Sequence, residues 1–181
     1  YAQKEQYVDG YYFTGILSDM LEENEIIVPE SAGVTTEATI QAFRSKKGQH
    51  MKHAAGLGSM GFALPYSIGA CLAHGRRRTV AIDGDGAFQL NIQELETLHR
   101  LQLPVKFFIW NNQGYASIRG MQRNNFKGHY VASDAGSGLT IPHILKVAQA
   151  YGLSTFRIEN NKEIAETVAQ VLKTDGPVIC E

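Results

Sequence analysis

Apolar residues recur along this 181-residue chain in two spacings that alternate with each other. Spacings of three and four residues predict amphipathic helices, whereas short continuous apolar runs predict buried strands. The predicted helices cover residues 7–21, 35–43, 61–74, 92–101, a segment from about 116, 141–151 and 162–173, and the predicted strands cover 25–29, 79–82, 105–110, 154–158 and 177–180.

This alternation predicts an α/β fold with a doubly wound, mainly parallel sheet and helices on both faces. Strand 105–110 is apolar at nearly every position, which is typical of a parallel strand buried on both sides. Residues 1–181 contain no repeat or linker, so we expect a single domain. The chain starts in a polar run without Met and stops in a strand pattern that has just begun, so we expect a fragment of a longer multidomain chain.

Composition narrows the possible partners. The net charge is -1 and the pI is about 6.7, so no basic field favours nucleic acid or an anionic membrane surface. The apolar stretch 57–72 is interrupted by Ser, Gly and Pro, so no membrane span is predicted. Cys71 and Cys180 have no metal or redox spacing, and we interpret them as buried thiols of a cytoplasmic protein, with a disulfide as the alternative.

Two polar loops follow two of the predicted strands. Strand 79–82 runs into Asp83-Gly84-Asp85-Gly86, and strand 105–110 runs into Asn111-Asn112-Gln113-Gly114. In parallel sheets ligands bind at the carboxyl ends of strands. If the two strands are neighbours, the carboxylate of Asp85, the amide oxygen of Asn112 and a peptide carbonyl form the oxygen-only set that Mg²⁺ prefers.

The glycines of the first loop suit an anion beside this cation. Gly84 and Gly86 permit close backbone approach, and a helical turn beginning near Ala87 offers free N–H groups. Taken alone, Gly-Asp-Gly usually makes a turn, so the tripeptide by itself is weak support. The two motifs together are far more specific than either alone, because both follow strands and Asp85 and Asn112 are 27 positions apart (112 minus 85).

Together these motifs resemble the signature of the thiamine-diphosphate-dependent enzyme superfamily. The resemblance implies the same α/β fold and Mg²⁺ ligation by Asp85, Asn112 and the carbonyl of Gly114. It also implies that the cofactor-binding residues of these loops are Gly84, Asp85, Gly86, Ala87, Asn112, Gly114 and Tyr115.

A second segment, 56–65, resembles the Gly-Leu-Gly-Thr/Ser-Met-Gly segment of acetolactate-synthase-like enzymes. The resemblance implies that Met60 is the wedge that bends the cofactor, with Gly58 and Ser59 beside the aminopyrimidine. Bringing the two cofactor rings together makes proton removal intramolecular, which contributes roughly 7–11 kcal/mol at best. The alternative is that Met60 is a core residue at the start of a helix.

Position 118 bears on the reaction. Pyruvate-decarboxylase-like members of the superfamily carry a catalytic glutamate at the position matching Ile118, and an apolar residue there resembles carboligases instead. The implied function is a 2-keto-acid decarboxylating carboligase with pyruvate as donor and a keto acid as acceptor. Met121 replaces a tryptophan of biosynthetic enzymes, so transfer to a keto-sugar nucleotide, simple decarboxylation and a non-catalytic phosphate-binding module stay open as alternatives.

The resemblance also implies parts that lie outside this chain. The activating glutamate belongs to a separate pyrimidine-binding domain, usually of a second subunit, so a homodimer or homotetramer is expected. Some relatives carry FAD in a middle domain, which nothing in this chain supports. The roles of His53 and His129 stay open, Arg119 and Gln122 are candidates for substrate or lid contacts, and segment 124–138 is a candidate lid.

Overall fold

A six-stranded parallel sheet forms the centre of the structure, a computed structural model that describes residues 6–54 and 56–181. The strands are β1 (Ile26–Pro29), β2 (His50–Met51), β3 (Thr79–Gly84), β4 (Val105–Trp110), β5 (Ser154–Phe156) and β6 (Val178–Cys180). Their order in the sheet is β2-β1-β3-β4-β6-β5, and each neighbouring pair is parallel.

Helices cover both faces of this sheet. They are α1 (Gly10–Met20), α2 (Gly33–Ala42), α3 (Ala63–Ala73), α4 (Asp85–Phe88), α5 (Glu94–Leu101), α6 (Ala116–Asn125), α7 (Ile144–Ala150) and α8 (Ile164–Lys173). The doubly wound α/β fold predicted from the sequence is therefore confirmed. Helix α1 begins later than the predicted residue 7, because the carboxylate of Asp9 accepts a hydrogen bond from the N–H of Tyr12 (3.1 Å) and caps the helix there.

Alternate residues of β4 enter two separate cores. Phe107 packs with α3, α5 and α7 on one face, and Phe108 packs with α1 and α8 on the other. This two-sided burial explains the unbroken apolar run in the sequence. Lys106 is the polar exception: it is 2% exposed, and its Nζ donates to the carbonyl oxygens of Thr174 and Gly176.

The direction in which the chain builds the sheet reverses between β1 and β3. From β1 the chain adds β2 on one side, and from β3 it adds β4 on the other. The carboxyl ends of β1 and β3 therefore form a topological switch point, where ligands bind in open α/β sheets. Strands β3 and β4 are neighbours, as the predicted cation site requires, and their last residues, Gly84 and Trp110, are paired in register.

Two other expectations are also settled by the fold. Cys71 and Cys180 are both buried free thiols, as predicted. In the part of the chain that the structure describes, no helix has the length and apolar character needed to cross a membrane.

Candidate functional site

A cavity of about 220 Å³ lies at the switch point. Four segments line it: the turn from β1 into α2, the loop before α3, the turn from β3 into α4, and the turn from β4 into α6. Of the residues singled out in the sequence, the cavity brings together Gly58, Met60, Gly84, Asp85, Gly86, Ala87, Asn112, Gly114, Tyr115 and Ile118. Ser59 is exposed and is not among the residues that line it.

Asp85 is a buried carboxylate of this cavity, with no exposed surface. One carboxylate oxygen accepts from the N–H of Gly86 (2.8 Å) and the other from the N–H of Gly114 (3.0 Å). Burial raises the pKa of Asp85, and the backbone donors of Gly114 and Gly86 act against that rise. Neither donor carries a full positive charge, so a bound cation would stabilise the ionised carboxylate further.

The side-chain oxygen of Asn112 is the second candidate ligand for a cation. Its Oδ1 is buried and has no hydrogen-bond partner. An unpartnered buried acceptor costs about 1–3 kcal/mol, so natural structures keep one chiefly where something else binds. The side chain thus has a free ligand position beside the cavity that contains Asp85.

The carbonyl oxygen of Gly114 is the third candidate ligand for a cation. A Cβ built on Gly86 would lie 3.5 Å from it, so this carbonyl is next to the loop that carries Asp85. Among residues 6–54 and 56–181 no three His, Cys, Asp or Glu side chains are grouped as a metal site. One carboxylate with neutral amide and carbonyl oxygens fits a hard cation such as Mg²⁺, which keeps water or phosphate oxygens as its other ligands.

Two glycines allow the loops that follow β3 and β4 to meet. A Cβ on Gly86 would lie 2.5 Å from the ring of Tyr115. Gly114 has φ +127°, a conformation that L side chains rarely adopt, and a Cβ there would collide with the carbonyl oxygen of Ser133. Close approach therefore requires glycine at positions 86 and 114, whereas a Cβ on Gly84 would make only an ordinary contact of 3.5 Å with Thr35.

The start of α2 also faces the cavity, and the sequence reasoning missed it. Ala32, Gly33, Val34 and Thr35 line the cavity, and no side chain caps the N-terminus of this ten-residue helix. Free N–H groups at a helix N-terminus are suited to an anion such as a diphosphate. The signal available in the sequence was a glycine four residues after the strand end, followed by Val34 and two threonines.

Glu30 is a second residue that the sequence reasoning missed. It is 1% exposed at the end of β1, and its carboxylate accepts from the N–H groups of Phe62 (3.3 Å) and Ala63 (3.0 Å) at the start of α3. It thereby connects the loop that carries Met60 to the sheet.

Asp83 is a buried neighbour of Glu30. Burial, with a smaller contribution from the nearby carboxylate of Glu30, raises the pKa of Asp83 well above its ordinary value.

Met60 and Ile118 are the apolar side chains at the mouth of the cavity, 39% and 40% exposed. The alternative that Met60 is a core residue at a helix start is wrong, because α3 begins only at Ala63. Met121 lies outside this cavity, in a separate groove that it shares with Phe126 and His129.

Arg119 and Gln122 contact the candidate lid, segment 124–138, which is one of the two alternatives predicted from the sequence. Its guanidinium donates to the backbone carbonyls of Asn112 (2.7 Å), Gln113 (3.0 Å) and Ser133 (3.2 Å). The amide of Gln122 accepts from the Ser133 hydroxyl (2.8 Å) and donates to the carbonyl of Val131 (3.1 Å). Both side chains therefore connect α6 to the segment after it, and in this structure that segment is anchored.

Residues 31–181 match the model of a protein family described as "Thiamine pyrophosphate enzyme, C-terminal TPP binding domain". Similar proteins include the acetolactate synthase large subunit of Porphyra purpurea, 34% identical over 139 residues or 77% of this chain, and that of Pyropia yezoensis, 36% identical over the same length. Acetolactate synthase 3, chloroplastic, of Brassica napus is 31% identical over 167 residues, or 90% of this chain. The matches cover 23%, 23% and 26% of these three relatives, so this chain spans about a quarter of their length.

Proposed function

Because the chain belongs to the thiamine pyrophosphate enzyme family and forms the C-terminal TPP-binding domain of an acetolactate-synthase-like enzyme, we propose that its switch-point cavity holds Mg²⁺ and the diphosphate of the cofactor. The observation that carries this proposal is the unpartnered Oδ1 of Asn112 in the same cavity as the buried carboxylate of Asp85. The carbonyl of Gly114 completes the protein ligands. All of residues 1–181 belong to this one domain.

The backbone around the cavity holds the anionic part of the cofactor. Gly84, Gly86 and Ala87 let the diphosphate approach the chain closely, and the uncapped N-terminus of α2 supplies N–H groups. Mg²⁺ would be held by the carboxylate of Asp85, the Oδ1 of Asn112 and the carbonyl of Gly114, and would neutralise part of the charge of the diphosphate.

The apolar mouth positions the reactive part of the cofactor. Thiamine diphosphate, when bound, supplies the carbanion chemistry that breaks and forms bonds at the carbonyl carbon of a 2-keto acid. Met60 would support the cofactor, with Gly58 and Tyr115 beside it and the exposed Ser59 next to Gly58, and Ile118 would keep water and proton donors away from the reacting carbon. Both Met60 and Ile118 are partly exposed in this chain, as expected if the pyrimidine-binding domain of a second subunit covers them.

The reaction we propose is decarboxylation of a 2-keto acid, pyruvate in the first instance, followed by transfer of the remaining unit to a second carbonyl. The side chain of Ile118 cannot donate a proton, which favours carbon–carbon bond formation over simple decarboxylation. Analysis of products from labelled pyruvate tests this step. Acetolactate or a branched sugar supports a carboligase and identifies the acceptor, whereas acetaldehyde as the main product would rule out the role given to Ile118.

Calorimetric titration of the full-length enzyme with thiamine diphosphate, with and without Mg²⁺, tests the cofactor site. We expect metal-dependent binding in the parent and its loss in Asp85→Ala, because the only carboxylate among the proposed ligands is removed. If Asp85→Ala binds the cofactor as tightly as the parent does, the site assignment is wrong. If the parent binds no cofactor in either condition, a non-catalytic phosphate-binding module becomes the better hypothesis.

A further inference from the structure

The turn between β4 and α6, residues 111–115, holds two of the three proposed ligands, and we call it the ligand turn. Gln113 and Gly114 have φ values of +59° and +127°. The left-handed region is unfavourable for a residue with a Cβ, so Gln113 needs contacts that stabilise it there.

Arg119 provides those contacts from the first turns of α6. Its Nη2 donates to the carbonyl of Asn112 and its Nη1 to the carbonyl of Gln113, at 2.7 and 3.0 Å. Backbone carbonyl oxygens that lie close together repel each other through their partial negative charges, and a guanidinium placed against both offsets that repulsion. The two peptide planes on either side of Gln113 are thus fixed by one side chain.

Ser133 holds the same turn from the other side. Its carbonyl accepts from the N–H of Tyr115 (2.9 Å) and from Nη1 of Arg119 (3.2 Å). The residue has no exposed surface, and its hydroxyl donates to Gln122 of α6. Arg119 therefore joins the ligand turn to a buried, hydrogen-bonded anchor.

Three polar groups of the turn are not held by Arg119 and belong to residues that line the cavity. The N–H of Gly114 donates to Asp85, its carbonyl lies beside Gly86, and the Oδ1 of Asn112 has no partner. The arginine contacts the ligand residues through their backbone and leaves their proposed ligand atoms free.

We propose that Arg119 is a positioning residue that sets the arrangement of the Asn112 and Gly114 oxygens and thereby the affinity of the cavity for its divalent cation. This inference rests on the proposed function, since it concerns the same site. Arg119 acts through the ligand turn, and it is not among the residues that line the cavity.

The test measures the Mg²⁺ concentration that gives half-maximal binding of thiamine diphosphate to the full-length enzyme. Arg119→Met removes the donors and keeps an unbranched apolar stem, and Arg119→Lys keeps the charge without the planar fork. Arg123→Met is the matched control, because Arg123 lies one turn further along the same helix and is exposed.

We expect the half-saturating Mg²⁺ concentration to rise about 10- to 100-fold in Arg119→Met and less in Arg119→Lys, as is typical when a residue that orients metal ligands is removed. Saturating Mg²⁺ should restore cofactor affinity in both variants, which a general loss of folding would not allow. Arg123→Met should match the parent.

An unchanged half-saturating Mg²⁺ concentration in Arg119→Met would overturn the inference while leaving the proposed function intact. If the parent itself shows no Mg²⁺-dependent binding, the proposed function fails instead. If Arg119→Met does not fold, Arg119→Lys decides the matter: parental Mg²⁺ dependence in that variant contradicts the proposal.

Discussion

Two adjacent asparagines at the end of β4 should respond to substitution in opposite ways. Asn112 has a buried Oδ1 without a partner. Asn111 is exposed, donates to the carboxylate of Glu181 (2.5 Å) and accepts from the N–H of Gln113 (3.1 Å). If Asn112 is a ligand and Asn111 a structural residue, Asn112→Ala should chiefly impair binding, and Asn111→Ala should chiefly destabilise the fold.

The magnitudes follow from these contacts. An unsatisfied buried polar group costs about 1–3 kcal/mol, so removing the Asn112 amide relieves a cost that offsets its lost packing, and the metal-free protein should be as stable as the parent or up to about 1 kcal/mol more stable. Asn111→Ala loses two hydrogen bonds, one of them to a carboxylate, and should be destabilised by about 1–3 kcal/mol. In a domain of about 150–250 residues 1 kcal/mol corresponds to a Tm shift of about 2–4 °C, and the shift is smaller in a longer full-length protein.

Two assays on the full-length protein separate the effects. Thermal unfolding without metal should give a lower Tm for Asn111→Ala only. Calorimetric titration with thiamine diphosphate and Mg²⁺ should show at least about tenfold weaker binding for Asn112→Ala, equivalent to about 1.4 kcal/mol, and a smaller loss for Asn111→Ala, whose side chain contacts the ligand turn and none of the proposed ligand atoms. Metal-dependent binding that survives in Asn112→Ala, with a Tm lowered as in Asn111→Ala, would refute this reasoning.

Three further substitutions or measurements test other parts of the structure. Gly86→Ala places a Cβ 2.5 Å from the ring of Tyr115, so it should lower the unfolding free energy by about 1–3 kcal/mol and weaken cofactor binding. Wild-type stability and wild-type binding in this variant would contradict the close approach. Burial lowers the pKa of Lys106 from its ordinary 10.5 to about 8, so the unfolded chain binds more protons between those values and the unfolding free energy should rise with pH there by up to roughly 3 kcal/mol. Lys106→Met should flatten that rise, and an identical pH dependence in the two proteins would exclude Lys106 as its cause. Burial also raises the pKa of Cys71 and raises that of Cys180 to about 12, so neither thiol should react with a disulfide reagent at neutral pH until the protein unfolds. Peptide mapping of protein labelled before and after unfolding measures the reaction of each thiol.

The regular elements were predictable because their patterns are local. A continuous apolar run predicts β4, because its residues enter both cores, and apolar residues at helical spacing predict α8. β2 was missed, since it has two residues and exists only through its pairing with β1. The four-residue helix α4 is likewise too short to give a periodic signal.

For the candidate site, the sequence by itself determined the two motifs that follow β3 and β4, because residues at the ends of neighbouring parallel strands necessarily lie together at one edge of a sheet. Only the tertiary structure decided what surrounds them. The reversal at β1 brings Glu30 and the start of α2 into the same cavity, although more than fifty residues separate them from Asp85. The contact of Arg119 with the candidate lid was predicted as one of two alternatives, but its contacts with the ligand turn were not, because they depend on how Ser133 and the turn pack together in three dimensions.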